Sequence, residues 1–230
     1  MIESWKLNAL WAKKPRYGQQ DDPDDIVSLQ THLMETADVA KRLWESWLPR
    51  RLQEQLDMRL LIFLAYVHDI GKASPAFQTK EGFGTPNTDE KIYAGLKRAG
   101  YVIKEYAVKS KNKNPTPHAL VSFGILRRKG FDDSVSVIVG GHHGKPPTKD
   151  QLNDINAYGS NCGFDEETWR QAQDALLEEA LAISGLTGDF WHLRSGVAEF
   201  ILLCRLKQHQ TLCSQELKSG LSVLMIKMVR

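Results

Sequence analysis

The chain has 230 residues, with 30 basic residues set against 28 acidic ones for a formal net charge of +2. Apolar residues make up 42% and charged residues 25%, an ordinary soluble composition with enough chain for one sizeable core. This balance neither demands a nucleic-acid partner nor excludes one, and no run approaches the roughly 18–20 apolar residues that a membrane span needs.

The N-terminal stretch "MIESWKLNALWAKKPRYG" scatters charges through itself and has no apolar core of signal-peptide length. Cys162, Cys204 and Cys213 form no CxxC pair and leave an odd count, which suits a reducing compartment; a cytoplasmic protein is expected. From Ser28, "SLQTHLMETADVAKRLWESWLP" spaces Leu33, Ala37, Ala40, Trp44 and Trp47 three or four residues apart, one face of a helix that Pro49 ends. The next segment, "LDMRLLIFLAYVHDIG", is apolar nearly all round between Leu60 and Val67, which predicts a central buried helix. Gly71 stands where a left-handed C-terminal cap belongs.

Residues 79–116 change character, with Gly82, Gly84, Pro86 and Asn87, a short amphipathic piece around Ile92–Ala99, and then "KSKNKNPTP". They read as a long, partly helical excursion between core helices. Pro117 suits the start of a helix running through "PHALVSFGILRRKG" to Gly130. In "DDSVSVIVGGHHG", Val135, Val137 and Val139 alternate with small residues like a strand, yet the segment is short and stands alone. "EETWRQAQDALLEEALAISG" is a strong amphipathic helix through Trp169, Ala172, Leu176 and Leu181, and a last helix covers roughly 189–207. The expected fold is one all-α domain spanning residues 1–230.

Seven histidines are present. His68 and Asp69 end the greasy helix, and imidazole and carboxylate are standard ligands of divalent transition metals, a carboxylate being able to bridge two ions. His142 and His143 lie between Gly141 and Gly144, where the backbone can bend to aim both rings inward. Alone, an HD pair is common by chance. Alone, too, His118 at a helix start reads as a cap-region side chain and His32 as the edge of the core. The ordered set H…HD…H…HH outweighs its members, because each stands at an element end or on a long helix that could converge in one bundle. His192 and His209 have no such context and read as surface or packing residues.

In that order, "TH" in the first amphipathic helix, "HDIGK", "PHALVS" and "GHHG" resemble the HD superfamily of metal-dependent phosphohydrolases. With "LWAKKPRYG", "SLQTHLMETADVAKRLW", "VHDIGKASPAFQ" and "IVGGHHGKPP", the chain more closely resembles the HD nuclease domain of the CRISPR-associated type I nuclease–helicase, from near the N-terminus to about residue 147. No GxxxxGK[ST] phosphate loop of the family's helicase motor occurs in the chain. The resemblance implies an HD-superfamily helical bundle that encloses one or two divalent ions (Mn, Ni, Co, Mg or Fe) and cuts single-stranded DNA. It implies as partners the CRISPR helicase and the RNA-guided surveillance complex, with no membrane. By the same resemblance His32 and His68 serve one ion, His118, His142 and His143 a second, and Asp69 bridges them.

Lys72, just beyond the pair, could place its ammonium on a phosphate oxygen, or equally be a solvated charge at a helix C-terminus. Lys104, Lys109, Lys111 and Lys113 in "KEYAVKSKNKN" could track a phosphate backbone, although a solvated loop explains each lysine as well. Phe77, Phe83, Tyr93 and Tyr101 could stack on bases, with core packing as the competing explanation.

One element departs from the family. A late helix is expected to carry an aspartate in a pattern resembling "ADW", where this chain has Cys204, Arg205 and Leu206 in "SGVAEFILLCRLKQHQ". Arginine stays protonated and repels a cation, so the site loses a carboxylate unless Glu199 or Asp189 substitutes. The segment from about residue 204 is atypical of the family, and cleavage that is weak or absent is expected. Two further readings compete with the nuclease. An HD phosphohydrolase acting on a nucleotide shares the HD pair but not "LWAK" or "GHHG", and a non-catalytic degenerate HD domain would bind DNA or a partner without cutting.

Overall fold

A one-turn helix α1 (Ser4–Leu7) leads into strand β1 (Trp11–Lys13), which pairs antiparallel with β2 (Val27–Ser28). The computed structural model describes residues 2–15, 26–54, 56–81, 86–103, 116–157 and 159–186, and among them this ribbon is the only sheet. Everything else regular is helical, so the all-α expectation holds, with the small ribbon as an unforeseen addition.

Ser28 then starts the first long helix, its Oγ accepting the Thr31 backbone N–H at 3.1 Å. That helix, α2 (Leu29–Ser46), buries Leu29, His32, Leu33, Thr36, Ala37 and Ala40 along one stripe. Trp47 departs from the expected face: it caps the helix, where the backbone leaves helical geometry, and is 49% exposed. After the single turn α3 (Arg50–Gln53), Asp57 caps α4 (Met58–Val67) by accepting the Arg59 N–H at 2.8 Å. Every residue of α4 from Leu61 to Val67 is buried, because α2 packs on one side of it and the last described helix on another. An all-apolar surface is what a helix contacted from several directions requires.

A 3₁₀ turn (Ile70–Lys72) follows α4, then α5 (Pro75–Gln78) with proline in its first turn. The excursion contains α6 (Pro86–Arg98), a longer helix than its central apolar positions suggested. Next come α7 (His118–Arg128), α8 (Asp133–Gly140), α9 (Lys149–Ala157), α10 (Gly159–Cys162) and α11 (Glu167–Ser184). The ambiguous valine segment is therefore helical as α8. Asp132 caps it by accepting the Ser134 N–H at 2.9 Å, and the small residues between the valines let it lie against α7. Gly185 closes α11 in the left-handed region at φ 74°, the conformation that glycine adopts most cheaply. The helix expected at 189–207 lies outside the described residues, as do His192 and His209.

The core joins Phe63, Tyr66 and Val67 of α4 to Leu33 of α2, Val121 and Ile125 of α7, and Trp169 and Leu176 of α11. Phe63 stacks on Phe131 at 5.3 Å, and the buried Trp169 donates its Nε1–H to the Val102 carbonyl at 2.9 Å. The bundle thus fixes the C-terminal end of α4 at its centre. No helix among the described residues is long and apolar enough to cross a membrane.

Candidate metal centre

Helix α4 stops at His68, which still has helical φ and ψ, and Asp69 then turns the chain into the 3₁₀ turn. Gly71 is not the left-handed cap that its position suggests, since among the described residues the glycines at positive φ are Gly100, Gly130, Gly144, Gly163 and Gly185. Its role is close approach. A Cβ at Gly71 would meet the His118 carbonyl oxygen at 2.0 Å and the Ser122 N at 2.4 Å. Two hydrogen bonds lock that approach: Gly71 N–H donates to Ser122 Oγ at 2.8 Å, and Ser122 Oγ–H donates to the His68 carbonyl at 3.0 Å. The first turn of α7, which begins at His118, is thereby clamped onto the HD turn.

All five histidines singled out in the sequence come together around Asp69. On Oδ2, His32 Nε2 lies at 2.9 Å and His68 Nε2 at 3.1 Å. On Oδ1, His118 Nε2 lies at 3.0 Å and His142 Nε2 at 3.3 Å. His143 Nε2 in turn lies 2.9 Å from His118 Nε2. The two carboxylate oxygens therefore face two trios of ligand atoms, His32–His68–Asp69 and His118–His142–His143, and within each trio the atoms lie within 4.8 Å of one another. The first trio is buried; in the second, His142 is buried while His143 is exposed, so the centre has a closed wall and an open rim.

Proton positions make this cluster a donor set for a cation. His68 Nδ1 lies 2.7 Å from the Ala65 carbonyl, and His142 Nδ1 lies 2.7 Å from the Val139 carbonyl. A carbonyl oxygen only accepts, so in both rings Nδ1 carries a proton, and Nε2 is the ring atom turned toward Asp69. His68 Nε2, His142 Nε2 and Asp69 Oδ1 are correspondingly buried without a hydrogen-bond partner. Buried polar atoms left without partners this close together are unfavourable, and a cation between them would supply what they lack. Neighbouring ligands about 2.1 Å from one ion are about 3.0 Å apart at right angles, which the spacings around Asp69 match. The residues fit a divalent metal, with the backbone carbonyls of Ala65 and Val139 orienting the His68 and His142 rings.

Electrostatics agree. Burial alone would raise the Asp69 carboxyl, but the charge of His68 and the contacts from His118, His142 and His32 outweigh it and hold it well below the usual range. Burial lowers His32 and His118, opposed in each case by Asp69. Burial, with repulsion from His142 and His118, brings His143 down to about 4. At neutral pH these three imidazoles are thus neutral ligands around a full carboxylate.

Lys72 is no solvated charge. It is 8% exposed, and its Nζ bonds Asp69 Oδ2 at 2.8 Å and the Ala12 carbonyl of β1 at 3.3 Å. Of the aromatics, Phe77 and Tyr101 are buried in packing contacts and Tyr93 is half-buried, while Phe83 lies outside the described residues. Lys104, Lys109, Lys111, Lys113, Asp189, Glu199 and Arg205 also lie outside them.

Sequence reasoning missed the supports. Gln78 accepts the Trp11 N–H through Oε1 at 3.1 Å and donates through Nε2 to the carbonyls of Trp11 and Lys72 at 2.8 and 2.9 Å, stitching β1 to the HD turn. Gln173 donates to the carbonyls of Ala73 and Cys162, both at 2.8 Å. Nothing in the sequence marked either glutamine.

An all-α bundle with imidazoles from four segments gathered on the carboxylate of an HD pair defines an HD-type domain whose histidine and aspartate groups could hold a metal. The family "Cas3, HD domain" matches residues 11–224, well past the last of the shared motifs near residue 147, and the chain belongs to that family. It is 33% identical over 198 residues to the CRISPR-associated nuclease/helicase Cas3 of Streptococcus thermophilus; the match takes in 76% of this chain and 21% of that relative. The chain thus spans about a fifth of the relative's length. No solved structure gives a significant match.

Proposed function

We propose that the chain is a divalent-metal-dependent nuclease that cuts single-stranded DNA in type I CRISPR interference. In this reading it works in the cytoplasm beside a CRISPR helicase and an RNA-guided surveillance complex. The observation that carries the reading is the convergence of His32, His68, His118 and His142 on the two oxygens of Asp69, with His143 joined through His118. Membership in the Cas3 HD family supports the nuclease chemistry.

His32 and His68 with Asp69 Oδ2 would hold one ion, and His118, His142 and His143 with Oδ1 a second. Bound metal supplies an activated water near neutral pH and neutralises charge building on the phosphate. The chain's own groups do the rest. The carbonyls of Ala65 and Val139 anchor Nδ1 of His68 and His142, which keeps Nε2 of each ring turned toward the centre. Lys72 steadies the carboxylate from the protein side, and the exposed His143 edge leaves a path for a strand. With Arg205 where the family carries aspartate, cleavage is expected to be weak.

Incubation with covalently closed circular single-stranded DNA and manganese or nickel tests the proposal. Cutting that disappears in Asp69→Ala supports it. Hydrolysis of small nucleotides in place of DNA would favour the phosphohydrolase alternative, and metal retention with no turnover the non-catalytic one.

A further inference from the structure

Beside the imidazole cluster, three lysines from three segments meet two aromatic rings, and one of the lysines has no carboxylate partner among the described residues. Trp11 and Phe77 pack with centroids 4.5 Å apart and are both buried. Lys14 Nζ lies 4.3 Å from the Trp11 centroid, while Lys72 Nζ and Lys80 Nζ lie 5.4 and 4.9 Å from the Phe77 centroid. Lys14 is neutralised by Asp89 at 2.5 Å and donates to the Lys80 carbonyl at 2.7 Å. Lys72 is neutralised by Asp69. The Lys80 ammonium is half-buried against the Phe77 ring, and no carboxylate among the described residues pairs with it.

Such a placement is unfavourable on its own. Burial and the neighbouring Lys72 charge both lower the Lys80 ammonium from its ordinary value. The π face of Phe77 compensates in part but leaves the donors of the ammonium unused. Its location gives the missing anion a chemistry. Phe77 also meets the His118 ring, edge-on at 5.5 Å, and His118 joins the exposed His143 at the open rim. Lys80 is therefore one phenyl ring away from the side on which a strand can reach the centre. A strand with one phosphate at the imidazoles carries its next phosphate a single nucleotide away, on the scale of that ring.

We propose that Lys80 binds a backbone phosphate flanking the one at the metal centre, and so fixes the direction in which single-stranded DNA crosses the rim. The proposal rests on the nuclease reading above and adds a subsite to it. Lys14 and Lys72 hold the aromatic platform in place, and Lys80 supplies the free positive charge.

The test is binding of a fluorescein-labelled oligothymidylate to the manganese-loaded chain, followed by anisotropy across a salt series, for wild type, Lys80→Ala and Lys80→Arg. One lost contact lowers the slope of log affinity against log salt by about 0.7 for a single strand. The expected result for Lys80→Ala is that reduction, an affinity about tenfold lower at moderate salt, and metal content equal to wild type. Lys80→Arg should keep the wild-type slope. Equal slopes for wild type and Lys80→Ala, with wild-type binding intact and both proteins folded by circular dichroism, overturn the Lys80 assignment alone. No binding of the oligonucleotide by wild type overturns the nuclease reading and this subsite with it.

Discussion

Gly71 and His118 touch backbone to backbone: a Cβ on Gly71 would lie 2.0 Å from the His118 carbonyl oxygen. Neither side can yield, because Gly71 N–H is tied to Ser122 Oγ and α7 starts at His118. Gly71→Ala should therefore cost about 3 kcal/mol, the upper end for overpacking, or about 6–12 °C in Tm for a chain of this size. It should also drive the two imidazole trios apart. Thermal melts and metal content after dialysis check both effects, and a variant that melts and loads like wild type would refute the clamp.

Metal itself should stabilise the fold. Ligand binding to the native state alone adds about 2.7 kcal/mol at a hundredfold excess over Kd, which corresponds to about 5–11 °C. Manganese, nickel or cobalt should raise Tm by that order, and EDTA should reverse the rise. Asp69→Asn keeps the shape of the side chain but removes the charge shared by the two trios, and should lose most of the increment. An equal rise in Asp69→Asn would mean that the metal binds elsewhere.

The five histidines and Asp69 were legible in the sequence because a metal site needs particular residue types, and those types stand out against a greasy helix or between glycines. Their meeting point was not derivable from spacing, since it depends on α7 approaching the 3₁₀ turn across a glycine. The role of Gly71 was misread for the same reason: a local pattern suggests a cap, and only a tertiary neighbour reveals the need for a missing Cβ. The alternation of Val135, Val137 and Val139 mimicked a strand because Ser134 and Ser136 flank Val135, although Ile138 breaks the pattern; burial of Val135, Ser136 and Val139 against α7 decides for helix. Gln78 and Gln173 carried no sequence signal, because a buried amide is recognised by the carbonyls it satisfies, and those come from distant segments.

Cys162 should be inert in the folded chain. It is fully buried, and burial together with the Asp165 charge pushes its thiol up to about 12. Only the thiolate is nucleophilic. Raising the pH from 8 to 9.5 should thus leave Cys162 unlabelled by iodoacetamide, whereas unfolding in guanidinium should label it fully. Peptide mapping separates it from Cys204 and Cys213. Rapid labelling of the native protein would contradict the packing of α10 against α5.

Arg205 stands at the position where the resemblance leads one to expect an aspartate. Replacing a fixed positive charge with a carboxylate should favour a bound dication. Arg205→Asp should tighten manganese binding by about tenfold or more and raise the rate of single-strand cleavage. Calorimetry and circular-DNA cleavage provide the readouts. An unchanged affinity would show that this position does not reach the metal.

Lys72 gives a sharper test, because its contribution should depend on the metal. Its Nζ sits 2.8 Å from Asp69 Oδ2, and both side chains are nearly excluded from water. In metal-free protein, Lys72→Met keeps most of the stem against Phe77 but leaves the carboxylate without its cation, and breaking a buried pair in this way costs about 3 kcal/mol. A bound dication would neutralise the same carboxylate, so in manganese the penalty should fall below about 1 kcal/mol. The interval between metal-free and metal-loaded Tm should consequently widen in Lys72→Met relative to wild type. If Lys72 served only to pack its methylenes over Phe77, the variant would lose little in either form and the interval would stay constant. Melts of the two proteins in EDTA and in manganese distinguish these outcomes.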